Sequence, residues 1–336
     1  KIVMSRPDPH AVPNWSAHDN FDWKTLFDQK VKVYQGDLSL PRIGLSEDDE
    51  ANILSNCRAI IHCGALVSFV RSYDLMRDVN VGSTRYLAGL AVKASMAFHF
   101  ISTVGVNCAP NQEHTIIEET SAAHAHPSSD GAGGYIASKW VSEIFLERVN
   151  ARYGLPVSIH RPSNVVGPNA SKDDIINNLL DTCRRIGMVP KLPGWIGYFD
   201  LIGAEVAASN IVGSLDESLQ IDHNVNSTHD VQYRHESGGA VIPIDALKSV
   251  MEKTEGRTIR LVDLDEWMQD ARLNAGTSDL VLEFLRMRKG KGVCMPLIRN
   301  NRTAWFAGGA TPGGILGKGK LSEMKGRKIR EVTSLV

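Results

Sequence analysis

Phe98-His99-Phe100-Ile101-Ser102-Thr103 is a short, mostly apolar run that stops on two hydroxyl residues. Such a run reads as a buried strand whose polar end lies at a sheet edge. Upstream, Tyr73 to Ala94 has helical periodicity, with Leu75, Val79, Leu87, Leu90 and Ala91 as the expected buried stripe. Before that helix, Ala59–Ile61 is an apolar run ending in the turn His62-Cys63-Gly64-Ala65, and Ile2–Met4 and Val31–Tyr34 read as further short strands. Downstream, Ile136 to Tyr153 reads as a helix with Val141, Ile144, Phe145 and Val149 near one face. Pro156–Ile159 is the next strand and leads into His160-Arg161-Pro162-Ser163-Asn164. Strands alternating with helices imply an α/β fold with a parallel sheet covered on both faces.

Beyond residue 162 this rhythm loosens. Asp173–Ile186, Ala204–Leu219, Ile244–Lys253, Asp263–Ala275 and Ser278–Arg288 have helical patterns, and Asp222–Gly239 is polar enough for loop or edge structure. These segments suit a smaller, mainly helical substrate lobe. The expected division is a core over 1–165, a lobe over 166–302 interleaved with late core strands, and a flexible Gly- and Lys-rich tail over 303–336. The chain opens on Lys1 directly in an apolar run, which reads as a fragment of a longer polypeptide.

The 336 residues carry a formal net charge of -1, with 43% hydrophobic and 22% charged residues. That balance suits a globular protein and favours neither nucleic acid nor an anionic membrane as partner. Cys57, Cys63, Cys108, Cys183 and Cys294 are scattered, with no zinc-like spacing. An odd count without a framework suits a reducing compartment, so a cytoplasmic location is expected. No run approaches the length of an apolar membrane helix.

Tyr135-Ile136-Ala137-Ser138-Lys139 is the strongest local chemical signal. Tyr and Lys four apart at a helix start share a face. A nearby cation lowers a phenol's pKa, which would make Tyr135 an acid or base near neutrality. The spacing is common by chance, but its setting adds weight. Gly36-Asp37-Leu38, His62-Cys63-Gly64-Ala65, Ser102-Thr103 and Arg161-Pro162 all fall at strand ends, and open α/β sheets bind ligands beyond the carboxyl ends of their strands. His124 and His126 read as a solvated loop rather than a metal site, and no metal ligand set is found. Asp173-Asp174 reads as an acidic helix start. Trp195 and Phe199 read either as channel wall or as core packing.

The order Gly36-Asp37-Leu38, Ile61–Ala65, Asn80-Val81-Gly82-Ser83-Thr84, Ile101-Ser102-Thr103, Tyr135/Lys139 and Arg161-Pro162 resembles the extended short-chain dehydrogenases, whose fold is a Rossmann-like, doubly wound sheet. Val33–Ser46, Gly134–Glu143 with Leu155-Pro156-Val157, and Pro193-Gly194-Trp195 followed by Phe199-Asp200 are similar to the thioester reductase branch. Over about residues 1 to 300 the chain resembles the reductase domain that ends fungal polyketide–nonribosomal peptide synthetases.

The resemblance implies NADPH as cofactor, a phosphopantetheinyl carrier domain bearing a thioester as partner, and secondary metabolite biosynthesis as setting. It makes Tyr135 the proton donor to the substrate carbonyl oxygen, Lys139 the residue that tunes Tyr135 and holds the nicotinamide ribose, and Thr103 a second donor to that oxygen. Asp37 and Leu38 would flank the adenine. Cys63, Gly64 and Ala65 would line the cofactor groove, with Cys63 where the family usually has Asn. Asn80, Ser102, Pro162 and Ser163 are the other expected cofactor positions. Arg6 matches a position that often pairs with the 2′-phosphate, which its planar fork suits; the alternative is a surface arginine beside Pro7.

One departure stands out. No G-x-G-x-x-G occurs anywhere in the chain, although the dinucleotide fold holds its pyrophosphate on such a turn. The first strand and its turn are expected to precede Lys1. The leading functional expectation is reductive release of the thioester as an aldehyde or alcohol. Its rival is a redox-independent Dieckmann cyclase releasing a tetramic acid, followed by a non-catalytic dinucleotide-binding module and a sugar epimerase or reductase. No G-x-S-x-G elbow appears, which disfavours a serine thioesterase.

Overall fold

A computed structural model of the chain describes residues 2–4, 29–108, 116–127, 133–171, 173–220, 230–290 and 293–300. Arg6 and the expected tail lie outside the described residues. The chain divides into two compact units, one of Lys1–Ile101, Ser129–Ile159 and Leu215–Gln232, the other of Ser102–Ser128, His160–Ser214 and Tyr233–Val336.

In the first unit the strand Ala97–Ile101 pairs in parallel with Ala59–His62, Ala59 opposite Ala97. On its other side lies the strand Val157–Pro162. Ala97, Phe98, His99 and Phe100 are all buried, as a parallel strand covered on both faces requires. Ile2–Met4 and Val33–Gln35 form a separate parallel pair.

The helix expected over Tyr73–Ala94 forms as Asp74–Arg77, a π-turn Asp78–Gly82 and Ser83–Lys93. The π-turn inserts a residue into the helical repeat; of the expected stripe Leu90 and Ala91 are buried and Val79 and Leu87 half-buried. Met76, Asn80, Thr84, Ala88 and Ala91 are buried, whereas Leu75 is 66% exposed. The helix Gly134–Tyr153 also departs from expectation. Val141, Ile144 and Phe145 are only half-buried, and the buried face is Ser138, Lys139, Ser142, Glu143, Leu146 and Val149. Four polar side chains occupy the place of an apolar stripe.

In the second unit the nine-residue strand Trp195–Gly203 pairs antiparallel with Ala240–Pro243 and in parallel with Asn164–Val166 and Val293–Met295. Gly197 sits in it at φ +100, where a Cβ would lie 1.9 Å from the Met295 carbonyl oxygen. The end of Val157–Pro162 pairs with Gln232–Glu236, an edge strand formed within the polar stretch. The helices Ile175–Ile186, Leu264–Ala275 and Asp279–Arg288 pack near the parallel pair Met188–Pro190 and Arg260–Val262. No helix among the described residues is long and apolar enough to cross a membrane.

Candidate active site

Tyr135 is the second residue of the helix Gly134–Tyr153. The loop ahead of Asp74 presses on that first turn: a Cβ on Gly134 would lie 2.3 Å from the Arg71 carbonyl oxygen and 2.5 Å from the Ser72 carbonyl carbon. Only glycine allows this approach. The same loop sets Phe69 edge-on to the Tyr135 ring, with centroids 5.7 Å apart. The Tyr135 hydroxyl donates to and accepts from no group among the described residues, which leaves it available to a ligand.

Lys139 follows one turn on and is 3% exposed. Its Nζ donates to the Ile101 carbonyl oxygen at 2.6 Å and stands 4.6 Å from the Phe100 ring centroid and 6.0 Å from that of Tyr135. Burial lowers its pKa to about 8, against opposing influences of Cys63 and Glu143. The expected depression of the Tyr135 pKa is not found. Burial pushes the phenol up to about 12, because desolvation of a phenolate here outweighs an ammonium turned toward Ile101 and Phe100.

Asn80 lies in the π-turn, with its amide engaged by protein on both atoms. Oδ1 accepts from the Leu66 backbone N–H at 2.8 Å, and Nδ2 donates to the Leu66 carbonyl oxygen at 3.0 Å and to Ser138 Oγ at 2.9 Å. Ser138 in turn donates to the Tyr135 carbonyl oxygen at 2.7 Å. One side chain therefore ties the loop after Ala65 to the first turn of the helix that carries Tyr135. Ser138 and Phe69 were not singled out from sequence; Ser138 stood inside the Tyr135–Lys139 segment.

Asp37 and Leu38 follow the strand Val33–Gln35. Leu38 Cδ1 would lie 2.8 Å from a Cβ on Gly64, so the two expected cofactor segments touch. Asp37 Oδ1 accepts from the Ser39 N–H and hydroxyl, which holds its carboxyl below its ordinary pKa. The Asp37 N–H donates to the Ile43 carbonyl oxygen at 2.9 Å. That closure uses three successive left-handed residues, Arg42 (φ 56), Ile43 (φ 50) and Gly44 (φ 75). Left-handed backbone is costly for a β-branched residue. Burial of Ile43 and the contacts of Arg42 with Glu47 and Glu50, at 3.0 and 3.1 Å, hold it there. Cys63 and Ala65 flank Gly64, with Cys63 exposed.

The second unit holds the other expected positions. Thr103 is half-buried, and its Oγ1 accepts from the Gly105 N–H at 3.2 Å, capping the turn Val104–Asn107. Ser102 donates its backbone N–H to the His160 carbonyl oxygen at 2.7 Å, and Ser163 donates its own to Glu236 at 2.8 Å. Pro162 ends the strand between them. The hydroxyls of Ser102 and Ser163 are buried with no partner among the described residues. Two orphaned hydroxyls at strand ends are what a ligand or ordered water would satisfy. His160 Nδ1 meets Glu236 Oε1 at 3.0 Å, both residues fully buried. Arg161 donates to the Thr120 carbonyl oxygen at 2.8 Å and lies over the Tyr233 ring. His124 and His126 are exposed. Trp195 and Phe199 are buried with rings 6.5 Å apart, the core-packing reading of that pair.

The profile of the male sterility protein family, an NAD-binding profile, matches residues 11–211. The chain belongs to this family. Fusarin C synthetase of Gibberella fujikuroi is 36% identical over 270 residues, which are 80% of this chain and 7% of that protein. The PKS-NRPS hybrid synthetase psoA of Aspergillus fumigatus is 38% identical over 264 residues, 78% of this chain and 6% of that one. The chain spans about 7% of the length of the first of these. The solved terminal R domain from the myxalamid PKS-NRPS biosynthetic pathway aligns with a TM-score of 0.61 at 27% identity, over 83% of this chain and 69% of that one. The α/β, Rossmann-like fold and the resemblance to terminal domains of polyketide–peptide synthetases both hold. The family is NAD(P)-binding and of oxidoreductase type.

Proposed function

We propose that the domain releases a polyketide-peptidyl thioester from the phosphopantetheine arm of a carrier domain by NADPH-dependent reduction. The observation that carries this reading is the start of the helix Gly134–Tyr153, where the Tyr135 hydroxyl has no partner among the described residues and the Lys139 amine is buried one turn on. The residues present fit part of the cofactor. Asp37, Leu38, Cys63, Gly64 and Ala65 would take the adenine half, with Arg6 at its 2′-phosphate. Lys139, with two N–H groups beyond the one given to Ile101, would hold the nicotinamide ribose. Asn80 would fix the loop beside that groove, and Ser102, Pro162 and Ser163 would line the nicotinamide end.

When bound, NADPH supplies hydride to the thioester carbon. As charge develops on the carbonyl oxygen, Tyr135 and Thr103 donate hydrogen bonds to it, and Tyr135 gives up its proton there. A phenol with a pKa near 12 is a strong donor only when a charge beside it favours the phenolate. Lys139 supplies that charge once its amine turns from Ile101 toward the ribose. The hemithioacetal then collapses: its C–S bond breaks, its hydroxyl proton passes to the departing sulfur, and an aldehyde and the free thiol of the arm result.

A second reading keeps the fold without redox. It is a Dieckmann cyclase, in which the enolate of a carbon acid between two carbonyls attacks the thioester and no hydride is needed. Both readings are tested on the 336-residue chain and on a version extended upstream by one strand–turn–helix unit. Each is given a β-ketoacyl-aminoacyl thioester with and without NADPH, and products are identified by mass spectrometry. Aldehyde or alcohol made only with NADPH, and lost on Tyr135→Phe, is the expected result. Tetramic acid formed equally without NADPH overturns it.

A further inference from the structure

Lys139 is a buried amine that needs compensation for lost water. One N–H is met by the Ile101 carbonyl oxygen at 2.6 Å. Beside it lies a ring: Phe100, 1% exposed, presents its face with the centroid 4.6 Å from Nζ. A cation within about 6 Å of a ring centroid is attracted by the ring quadrupole, most strongly when both are dry. His62 packs beside Phe100, with ring centroids 5.8 Å apart. We propose that Phe100 is a positioning residue for Lys139: its ring face and the Ile101 carbonyl together keep the amine charged and parked beside Tyr135.

The titratable groups around Lys139 leave room for this role. Cys63, after the strand Ala59–His62, and Glu143, one turn along the same helix, favour the charged amine. His62 is held neutral, with its pKa lowered to about 3 by burial and then by Lys139 itself, and its Nε2 lies 3.3 Å from Ser83 Oγ. Tyr135 stays a neutral phenol. Of the two rings that the ammonium lies over, Phe100 is the nearer, with its centroid at 4.6 Å against 6.0 Å for Tyr135. The role of Lys139 in turnover rests on the reductase reading; the hold on its amine does not.

The test uses the 336-residue chain with 13C at lysine Cε, the Lys139 signal being assigned by its loss in Lys139→Met. Position 100 carries phenylalanine, then its mono-, di- and trifluorinated forms, which withdraw charge from the ring face at nearly constant volume. The Lys139 titration midpoint is expected to step down along the series, reaching about one pH unit below the unsubstituted chain. Phe100→Leu, which keeps bulk and removes the face, should match the trifluorinated form. If Phe100→Leu fails to fold, the fluorinated series decides alone. An unchanged or rising midpoint across folded variants overturns the proposal. If the midpoints step down while NADPH-dependent release does not follow in its alkaline limb, Phe100 keeps its role and the reductase reading fails.

Discussion

The helices Gly134–Tyr153 and Ile175–Ile186 end alike and bury opposite chemistry. Each stops on a left-handed glycine, Gly154 at φ 66 and Gly187 at φ 68. Ile175–Ile186 buries Ile175, Ile176, Leu179, Leu180 and Cys183, with Thr182 bonded to Thr277 at 2.8 Å. Gly134–Tyr153 buries Ser138, Lys139, Ser142 and Glu143 ahead of any apolar residue. Apolar burial is stabilising at roughly 25 cal/mol per Å², whereas a buried amine is a net cost unless it is compensated. Ile175–Ile186 helps to hold its unit together. Gly134–Tyr153 is held in place by the rest of its own unit, and its polar face is available for chemistry.

The largest effect that tests this contrast is loss of turnover without loss of fold. Tyr135→Phe removes one hydroxyl that bonds to nothing among the described residues, so the melting temperature should barely move. Release should fall by about 10²–10⁴-fold, the usual contribution of a positioned acid. A variant that keeps half its activity would remove Tyr135 from the chemistry. The mirror experiment is Leu179→Ala in the apolar helix. Leu179 is fully buried, so the change should cost about 2–5 kcal/mol by denaturant unfolding. Activity per folded molecule at low temperature should be retained. A specific activity loss would mean that the second helix also shapes the site.

The contrast between the helices was half visible in the sequence. The apolar helix announced its period and its start: Asp173–Ile186 was the expected span, and Asp174 caps Ile175–Ile186 by accepting from Asn177 N–H at 2.8 Å. Helix Glu47–Asn56 carries an equally plain start in Ser46 and four acidic residues, yet the sequence reading passes over it, since only Ile53 in it is buried. The functional helix was located correctly, but of its expected face only Val149 is buried, because periodicity assigns apolar residues inward and most of this face is polar for other reasons. The π-turn at Asp78–Gly82 interrupts the helical repeat and leaves no mark in composition. The strand Trp195–Gly203 is hidden by Gly197, which breaks the alternation. Tyr135 and Lys139 were legible as a pair. Their ionisation was not, because burial sets it and burial belongs to the folded state.

A smaller effect follows from the buried amine. The Lys139 pKa falls from 10.5 to about 8 on folding, so between those values the unfolded chain binds more protons than the folded one. Stability should therefore rise as pH goes from about 8 to 10.5, and the cost of burying the charge is fully present below 8. Lys139→Met should flatten that rise. At pH 7 it should stabilise the fold by about 1–2 kcal/mol, the relief of desolvation less the lost bond to Ile101, while release is abolished. Urea titrations at pH 7, 8 and 10 read both. A destabilised Lys139→Met chain would mean that this polar face also supports the fold.

The smallest effect probes how the apolar helix is anchored. Asp174→Ala removes the cap on the Asn177 N–H and should cost about 1 kcal/mol. Asn177→Ala should cost more, although both residues lie at the same helix start. Asn177 Nδ2 donates to the Val165 carbonyl oxygen at 2.8 Å, and its Oδ1 accepts from the Gly167 N–H at 3.3 Å. Its loss leaves two backbone groups of the Asn164–Val166 strand end without their partner, at about 1–3 kcal/mol for each that stays dry. Measured side by side in urea, the two variants separate capping of a helix from bracing of the strand beside it. Equal costs would mean that water replaces the Asn177 amide, and that the helix, rather than its bond to the strand, carries the stability of this end of the unit.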